Sequence, residues 1–259
     1  MKIPYSQFYF EEVGSTNDIA LEKLENEIFV FISADFQNSG RGRNGKTWLG
    51  NKGENLYLSL GINHPAFLQH QNWNIDPFKL QSVASAILFD TLLENISGNT
   101  ELAIKYPNDI YARNLSVTQE GKLSGIIVEN IFQGKECKSS VLGIGINCNQ
   151  TVFPKIERNS PVSLLQLEQN INIDNIRKSL IENFINLNKK KYEDYFQHYK
   201  DIICLEEKEI ILIGTSQILV AKEILETGQL SCRNKSGDNI IVDNGDSVRY
   251  RLNYIGKVN

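Results

Sequence analysis

The sequence is poor in the residues that build metal centres and covalent frameworks. Among its 259 residues are only three histidines and four cysteines. The histidines His64, His70 and His198 are isolated, so structural zinc would need ligands gathered from distant segments and is not expected. Cys137, Cys148, Cys204 and Cys232 are scattered and form no Cys-x-x-Cys pair. Residues Met1–Gln7 carry no apolar signal core. Both features predict a reduced, cytoplasmic protein. No apolar run approaches the roughly 18–20 residues that span a bilayer, so no membrane partner is expected. Positive charge is in the minority, with 27 Lys and Arg against 31 Asp and Glu. A net charge of −4 excludes a general nucleic-acid binder, and DNA is not an expected partner. Internal repeats and low-complexity tracts are lacking as well.

What is present is an ordinary globular composition, 41% hydrophobic and 22% charged. The length accommodates one full-sized domain and a small satellite. Phe8–Val13 reads as a strand running into the turn Gly14–Asp18 and a helix carrying Ile19, Ala20, Leu21 and Leu24. Ser15, with Asp18 three residues on, resembles a capping box. Ile28–Phe36 and Asn55–Ile62 read as strands, and Phe78–Ile96 as a long amphipathic helix. Short strands follow around Leu102–Lys105, Ile110–Ala112, Leu123–Phe132 and Ser139–Ile146. Gln150–Ser160 reads as a flexible polar loop, and Asp174–Lys200 returns to helical spacing. From about Cys204 the texture changes to five short β-prone runs separated by turns, which predicts a small barrel. The expected division is therefore 1–203 and 204–259.

Against the acidic background, three cations fall within Gly40-Arg41-Gly42-Arg43-Asn44-Gly45-Lys46. With Thr47 the segment satisfies the phosphate-loop pattern G-x-x-x-x-G-K-[ST]. Such a loop needs a helix beginning at its Lys-Thr to hold the phosphates. Trp48–Gly53 places two glycines and an asparagine there, so a nucleotide triphosphatase of that type is not expected. Backbone amides beside the glycines and the forked donors of Arg41 and Arg43 can still bind phosphate or carboxylate. The plain alternative is a solvated surface loop.

Three further segments bear chemistry, each with an ordinary explanation of its own. Lys105-Tyr106-Pro107-Asn108-Asp109 presents a Lys, an amide and a carboxylate from one corner, or is simply a hairpin turn. Gly121–Glu129 places Lys122 at the start of a buried strand with Gly125 close behind, and glycine within a strand often marks close approach by a ligand or backbone. Leu142–Asn147 is a glycine-spaced strand ending in Asn147; no helix follows it, so it is a poor dinucleotide fingerprint, and thinning for packing explains it.

In this order and spacing, and together with Ser15-Thr16-Asn17, the segments resemble those of biotin–protein ligases. The resemblance covers essentially the whole chain. It implies an α+β fold: a mixed β-sheet with helices on one side, like that of class II aminoacyl-tRNA synthetases, followed by a small SH3-like β-barrel. It also implies joining of the biotin carboxylate to the α-phosphate of ATP, with loss of pyrophosphate. Transfer of biotin to a lysine of a biotin carboxyl carrier domain would follow. No protein nucleophile is needed, and fixed cations with Mg2+ would offset the repulsion between carboxylate and polyphosphate.

By the same resemblance, Ser15, Thr16, Asn17 and Gln37 would hold the biotin head group, while Gly40, Arg41 and Arg43 would line biotin and the phosphates. Lys122 would sit where carboxylate meets phosphate, with Gly125 allowing close approach. Trp48 would cover the nucleotide. Asn108, Asp109 and Asn147 would contact ribose, adenine or metal, and Lys105 would add positive charge near the reacting phosphate. Arg249 would reach the nucleotide from the barrel. Asp109 is also the candidate base for the acceptor lysine, and the metal ligands stay unassigned. Departures from the family pattern are Lys46 in place of Arg, Tyr106 in place of the commoner Trp, and a longer Arg113–Gly121 linker on which the register of Lys122 depends. About fourteen residues precede Ser15, too few for a helix-turn-helix, so a form without a DNA-binding domain is expected. Monomer and homodimer both stay open. The rival readings are a lipoate–protein ligase, a non-catalytic biotin binder and, least favoured by charge, a nucleic-acid binder.

Overall fold

The computed structural model describes residues 4–70, 76–154, 160–169, 171–243 and 245–257. In chain order the elements are β1 (Ser6–Phe10), α1 (Thr16–Lys23), β2 (Phe29–Ala34), β3 (Asn55–Asn63), α2 (His64–His70) and α3 (Leu80–Asn95). Strands β4 (Thr100–Lys105), β5 (Asp109–Asn114), β6 (Gln119–Gln133) and β7 (Glu136–Asn147) follow, then α4 (Ile173–Ile185) and α5 (Tyr192–Ile203). The chain ends with β8 (Glu209–Leu212), β9 (Ile218–Ile224), β10 (Leu230–Arg233), β11 (Asn239–Val242), β12 (Val248–Arg249) and β13 (Ile255–Gly256).

The main sheet has eight strands in the order β1-β2-β3-β7-β6-β5-β4-β13. It is mixed because β1 and β2 run parallel while the other neighbours are antiparallel. Strand β2, Phe-Val-Phe-Ile-Ser-Ala, is buried on both faces, and its alternation distributes the side chains between two cores. Phe29 and Phe31 join the large core with Leu56, Leu58 and Leu60 of β3 and with α3, α4 and α5. Val30 and Ile32 face the other way, onto Ala20 of α1, Leu24 at its C-cap and Val141 of β7. Three long helices thus cover one face, and α1 lies on the other, where it borders the cavity described below.

Several elements differ in detail from the sequence expectations. Strand β1 stops at Phe10, and Val13 makes only an isolated bridge to Gln37. Helix α3 is buried nearly all round, including Ser82, Ser85 and Thr91, rather than amphipathic. The helical run Asp174–Lys200 divides into α4 and α5 around a short turn at Leu187–Lys189. Ser15 caps α1, accepting from the Asn17 amide, but the capping box does not form because the Asp18 carboxylate is engaged by Arg41.

After α5 the chain turns at Cys204, in left-handed backbone, into a five-stranded antiparallel sheet ordered β11-β10-β9-β8-β12. Its inward side chains, among them Ile210, Leu219, Leu230 and Val248, belong to the large core. Strand β13, not foreseen in the sequence, returns to pair with β4 and covers that edge of the main sheet. No helix among the described residues is long and apolar enough to cross a membrane.

Candidate active site

A cavity of about 700 Å3 opens on the α1 face of the main sheet. Its floor is a strip of glycines. Gly125 of β6 pairs with Gly145 of β7, and Gly143 lies two residues away on β7. A Cβ at Gly145 would meet the Trp48 ring at 2.5 Å, and one at Gly143 would meet Asn17 Oδ1 at 2.4 Å. The glycines therefore let an indole and an amide lie flat on the strands, which is the packing explanation offered for the Gly143–Gly145 spacing.

The basic loop closes on itself. Arg41 bridges Thr47, the Gly42 amide donates to Lys46 O at 2.7 Å, and the Trp48 amide to Gly40 O at 2.9 Å. Asn44 and Gly45 turn the chain with positive φ values of 57° and 71°. Strand β3 follows after an irregular stretch, so no helix begins at Lys46-Thr47 and the phosphate-loop reading is removed. Gly40 does not line the cavity; it packs where a Cβ would lie 2.8 Å from Trp48 O.

The two arginines of the loop have different surroundings. Arg41 gives bidentate bonds to Asp18 at 2.7 and 2.8 Å and reaches Glu129 at 3.2 and 3.3 Å. These bonds hold the Asp18 carboxyl below its ordinary range and raise Arg41 further. Arg43 donates to Asn108 Oδ1 at 2.9 Å, and Asn108 in turn donates to Ile126 O at 2.7 Å. Glu129, absent from the sequence assignments, also accepts from Asn17 Nδ2 at 2.5 Å. An acid ending the apolar run Ile126-Ile127-Val128 at an alternate position from Gly125 was the available signal.

Beside α1, Gln37 Oε1 accepts from the Thr16 amide at 2.7 Å and the Thr16 hydroxyl at 2.9 Å. Ser59 Oγ lies 2.7 Å from Thr16 Oγ1 and 2.6 Å from Asn17 Oδ1, a contact also unforeseen. At the opposite end, a bulge in the β5–β6 pairing sets Lys122 beside Tyr111. It turns Leu123 into the core and the Lys122 side chain into the cavity, 2.8 Å from Asp109 Oδ1. This answers the register question at Lys122. The backbone there is also pinned, since the Lys122 amide donates to Ser160 O and its carbonyl accepts from the Val162 amide.

Asn147, at the end of β7, donates to the carbonyls of Lys122 and Val162, both at 3.2 Å. Residues 155–159 of the expected loop lie outside the described residues; its flanks bring Phe153, Pro154 and Pro161 to the cavity wall. Lys105 lines the cavity from β4, and Arg249 and Ile213 reach it from the C-terminal sheet. The structure thus brings together Ser15, Thr16, Asn17, Gln37, Arg41, Arg43, Trp48, Lys105, Asn108, Asp109, Lys122, Gly125, Asn147 and Arg249. Of the residues assigned from sequence, Gly40 alone stands behind the wall.

The chain is similar to known proteins over most of its length. A family model described as the biotin/lipoate A/B protein ligase family matches residues 9–147. A biotin–[acetyl-CoA-carboxylase] ligase of Mycobacterium tuberculosis is 27% identical over 253 residues, 93% of this chain and 87% of the relative. The bifunctional ligase/repressor BirA of Bacillus subtilis is 29% identical over 213 residues, 80% of this chain. The match spans 60% of that relative, and only 38% of the Escherichia coli protein of the same name. A biotin protein ligase from Aquifex aeolicus, solved with biotin and ATP, superposes with a TM-score of 0.67 at 22% identity, covering 96% of this chain and 99% of that one. At that identity the likeness establishes the fold.

Proposed function

The chain belongs to the biotin/lipoate A/B protein ligase family, and from that premise we propose that it is a biotin–protein ligase. The observation that carries the reading is one cavity with a cationic end, Lys122, Arg43 and Lys105, and an amide-and-hydroxyl end, Thr16, Asn17 and Gln37. A ureido head group needs paired donors and acceptors, and a carboxylate meeting a polyphosphate needs cations.

In the first step, a carboxylate oxygen of biotin attacks the α-phosphorus of ATP. The new O–P bond forms as the bond to the bridging oxygen breaks, and pyrophosphate leaves. Lys122 and Arg43 would neutralise the charge that gathers there, and Trp48 would cover the nucleotide. Arg249, Asn108 and Asn147 would hold its remaining parts. In the second step the amine of an acceptor lysine attacks the acyl carbon, AMP departs, and Asp109 would accept the amine's proton.

Mg2+ would enter with ATP and shield its phosphates. Asp109 is the one carboxylate among the described residues that line the cavity, and no cluster of three metal-ligating side chains occurs among the described residues. That fits an ion held mainly by phosphate oxygens with one protein carboxylate. In this reading residues 1–203 bind both substrates, and residues 204–259 contribute Arg249. A biotin carboxyl carrier domain is the partner, the cytoplasm the compartment, and DNA is not bound.

The test is incubation with ATP, Mg2+ and an apo carrier domain, adding biotin or lipoate in turn. Biotin-dependent pyrophosphate release and carrier labelling support the proposal. Labelling by lipoate alone would assign the chain to the other branch of the family. Biotin binding without pyrophosphate release would make it a non-catalytic binder.

A further inference from the structure

Tyr106 connects the corner that carries Asn108 and Asp109 to the C-terminal sheet. Its side chain is buried, and its hydroxyl donates to the carbonyl of Gly228, in the turn between β9 and β10. Its backbone amide donates to the hydroxyl of Tyr250 at 2.7 Å, and Tyr250 directly follows Arg249. The turn that leads into β12 rests on the same corner: a Cβ at Gly245 would lie 2.3 Å from Pro107 Cδ and 2.5 Å from Tyr106 O. From below, the Tyr199 hydroxyl donates to Pro107 O at 2.8 Å.

The apolar contacts of Ile210, Leu219, Leu230 and Val248 bring the C-terminal sheet onto the main core. Such contacts are non-directional, so the angle between the sheets depends on directional bonds, among them the β13–β4 pairing and the Asn253 side-chain amide to Ile202 O at 3.0 Å. The Lys79–Glu226 ion pair crosses the same junction, but Glu226 is largely exposed and the pair fixes little. Buried hydrogen bonds are directional; at this junction the Tyr106 side chain makes one, to Gly228 O, and the backbone amide at the same position makes another, to the Tyr250 hydroxyl.

We propose that Tyr106 is a positioning residue: through Gly228 and Tyr250 it sets the C-terminal sheet so that Arg249 and Ile213 face the nucleotide end of the cavity. The inference rests on the ligase reading of that cavity. The phenol hydroxyl is the particular device, because a Trp at this position carries its donor elsewhere on a larger ring.

Tyr106→Phe in the full chain removes the hydroxyl and keeps the ring. One buried hydrogen bond corresponds to about a fivefold change in an equilibrium. The KM for ATP in the adenylation step is expected to rise about fivefold, with kcat and the KM for biotin within about twofold. Amide exchange across β9–β12 should quicken. In an Arg249→Ala background, Tyr106→Phe should leave the KM for ATP close to the value set by Arg249→Ala alone. Tyr106→Trp, whose donor lies elsewhere on a larger ring, should not recover the ATP affinity.

Equal rises in both KM values, or effects of Tyr106→Phe and Arg249→Ala that simply multiply, would overturn the positioning role. Unchanged exchange across β9–β12 would overturn it independently of activity. Should the wild-type chain release no pyrophosphate with biotin, the ligase reading fails, and the exchange comparison alone decides whether the tether exists.

Discussion

Lys122 Nζ lies 2.8 Å from Asp109 Oδ1 across the β5–β6 pair, and the bulge at Leu123 is what brings them together. Asp109 is buried and Lys122 partly so, which makes the two charges depend on each other. Removing Lys122 therefore has two separable effects. Lys122→Ala should lower biotin-dependent pyrophosphate release by on the order of 10²–10³, the loss found when a transition-state charge partner is removed. It should also lower Tm by a few degrees, since Asp109 is left as a buried, unpaired carboxylate. The double variant Lys122→Ala/Asp109→Asn should recover the Tm and stay inactive. A fully active Lys122→Ala protein would break the assignment.

Arg43 and Arg41 lie two residues apart and should behave differently. Among the described residues Arg43 donates to Asn108, and it lines the cavity. Arg43→Ala should speed release of the preformed adenylate by roughly 10–100-fold, the worth of a charge-assisted bond to phosphate. Arg41 directs its donors to Asp18 and Glu129. Arg41→Ala should change adenylate release less, while freeing Asp18 and loosening the Gly40–Trp48 loop toward proteolysis. Chase of labelled adenylate measures the first effect, and limited digestion the second.

The contrast between these arginines shows how far the sequence could be read. Periodicity located the strands that carry the site, and the ordered motifs collected most of its lining. Both depend on residue type and spacing, which a sequence displays. Which way a side chain turns depends on partners distant in the chain. Arg41 is committed to Glu129, 88 residues away, and nothing local announces that. The Leu123 bulge, which decides the face of Lys122, likewise arises from pairing with β5. The return of β13 to β4 involves two residues, too few for any period to register. The serines of helix α3 and Thr91 read as solvent-facing in the sequence, whereas in the fold they are buried and Thr91 bonds Ile87 O within the helix.

The glycine floor offers a test of which substrate lies where. Gly143→Ala would drive a methyl group into Asn17 Oδ1, and Gly145→Ala would drive one into the Trp48 ring. Overpacking of this kind costs about 1–3 kcal/mol when neighbours must move. If Asn17 serves biotin and Trp48 the nucleotide, Gly143→Ala should raise the KM for biotin about tenfold or more and spare ATP. Gly145→Ala should do the reverse. Steady-state pyrophosphate release with each substrate varied distinguishes them, and a rise in the same KM for both variants would refute the division of the cavity.

His64 predicts how stability responds to acid. Its ring is buried at the start of α2, with Nε2 2.7 Å from Ser140 Oγ, and Ser140 Oγ lies 2.6 Å from Asn130 Oδ1. Burial lowers its pKa below the ordinary histidine value, against a smaller opposing pull from Asp76. The unfolded chain therefore takes up a proton near pH 6.5 while the folded chain resists it. The folded state's advantage is present above that pH and is lost as the pH falls from there through the lower folded pKa. His64→Gln keeps a side-chain donor for Ser140 and removes the titration. Between pH 7.5 and 5.0 the wild-type Tm should fall further than that of His64→Gln. Each kcal/mol of difference amounts to about 2–4 °C in a chain of this size. Carboxylates common to both proteins cancel in the comparison, so parallel Tm curves would show that His64 does not sense pH in the fold.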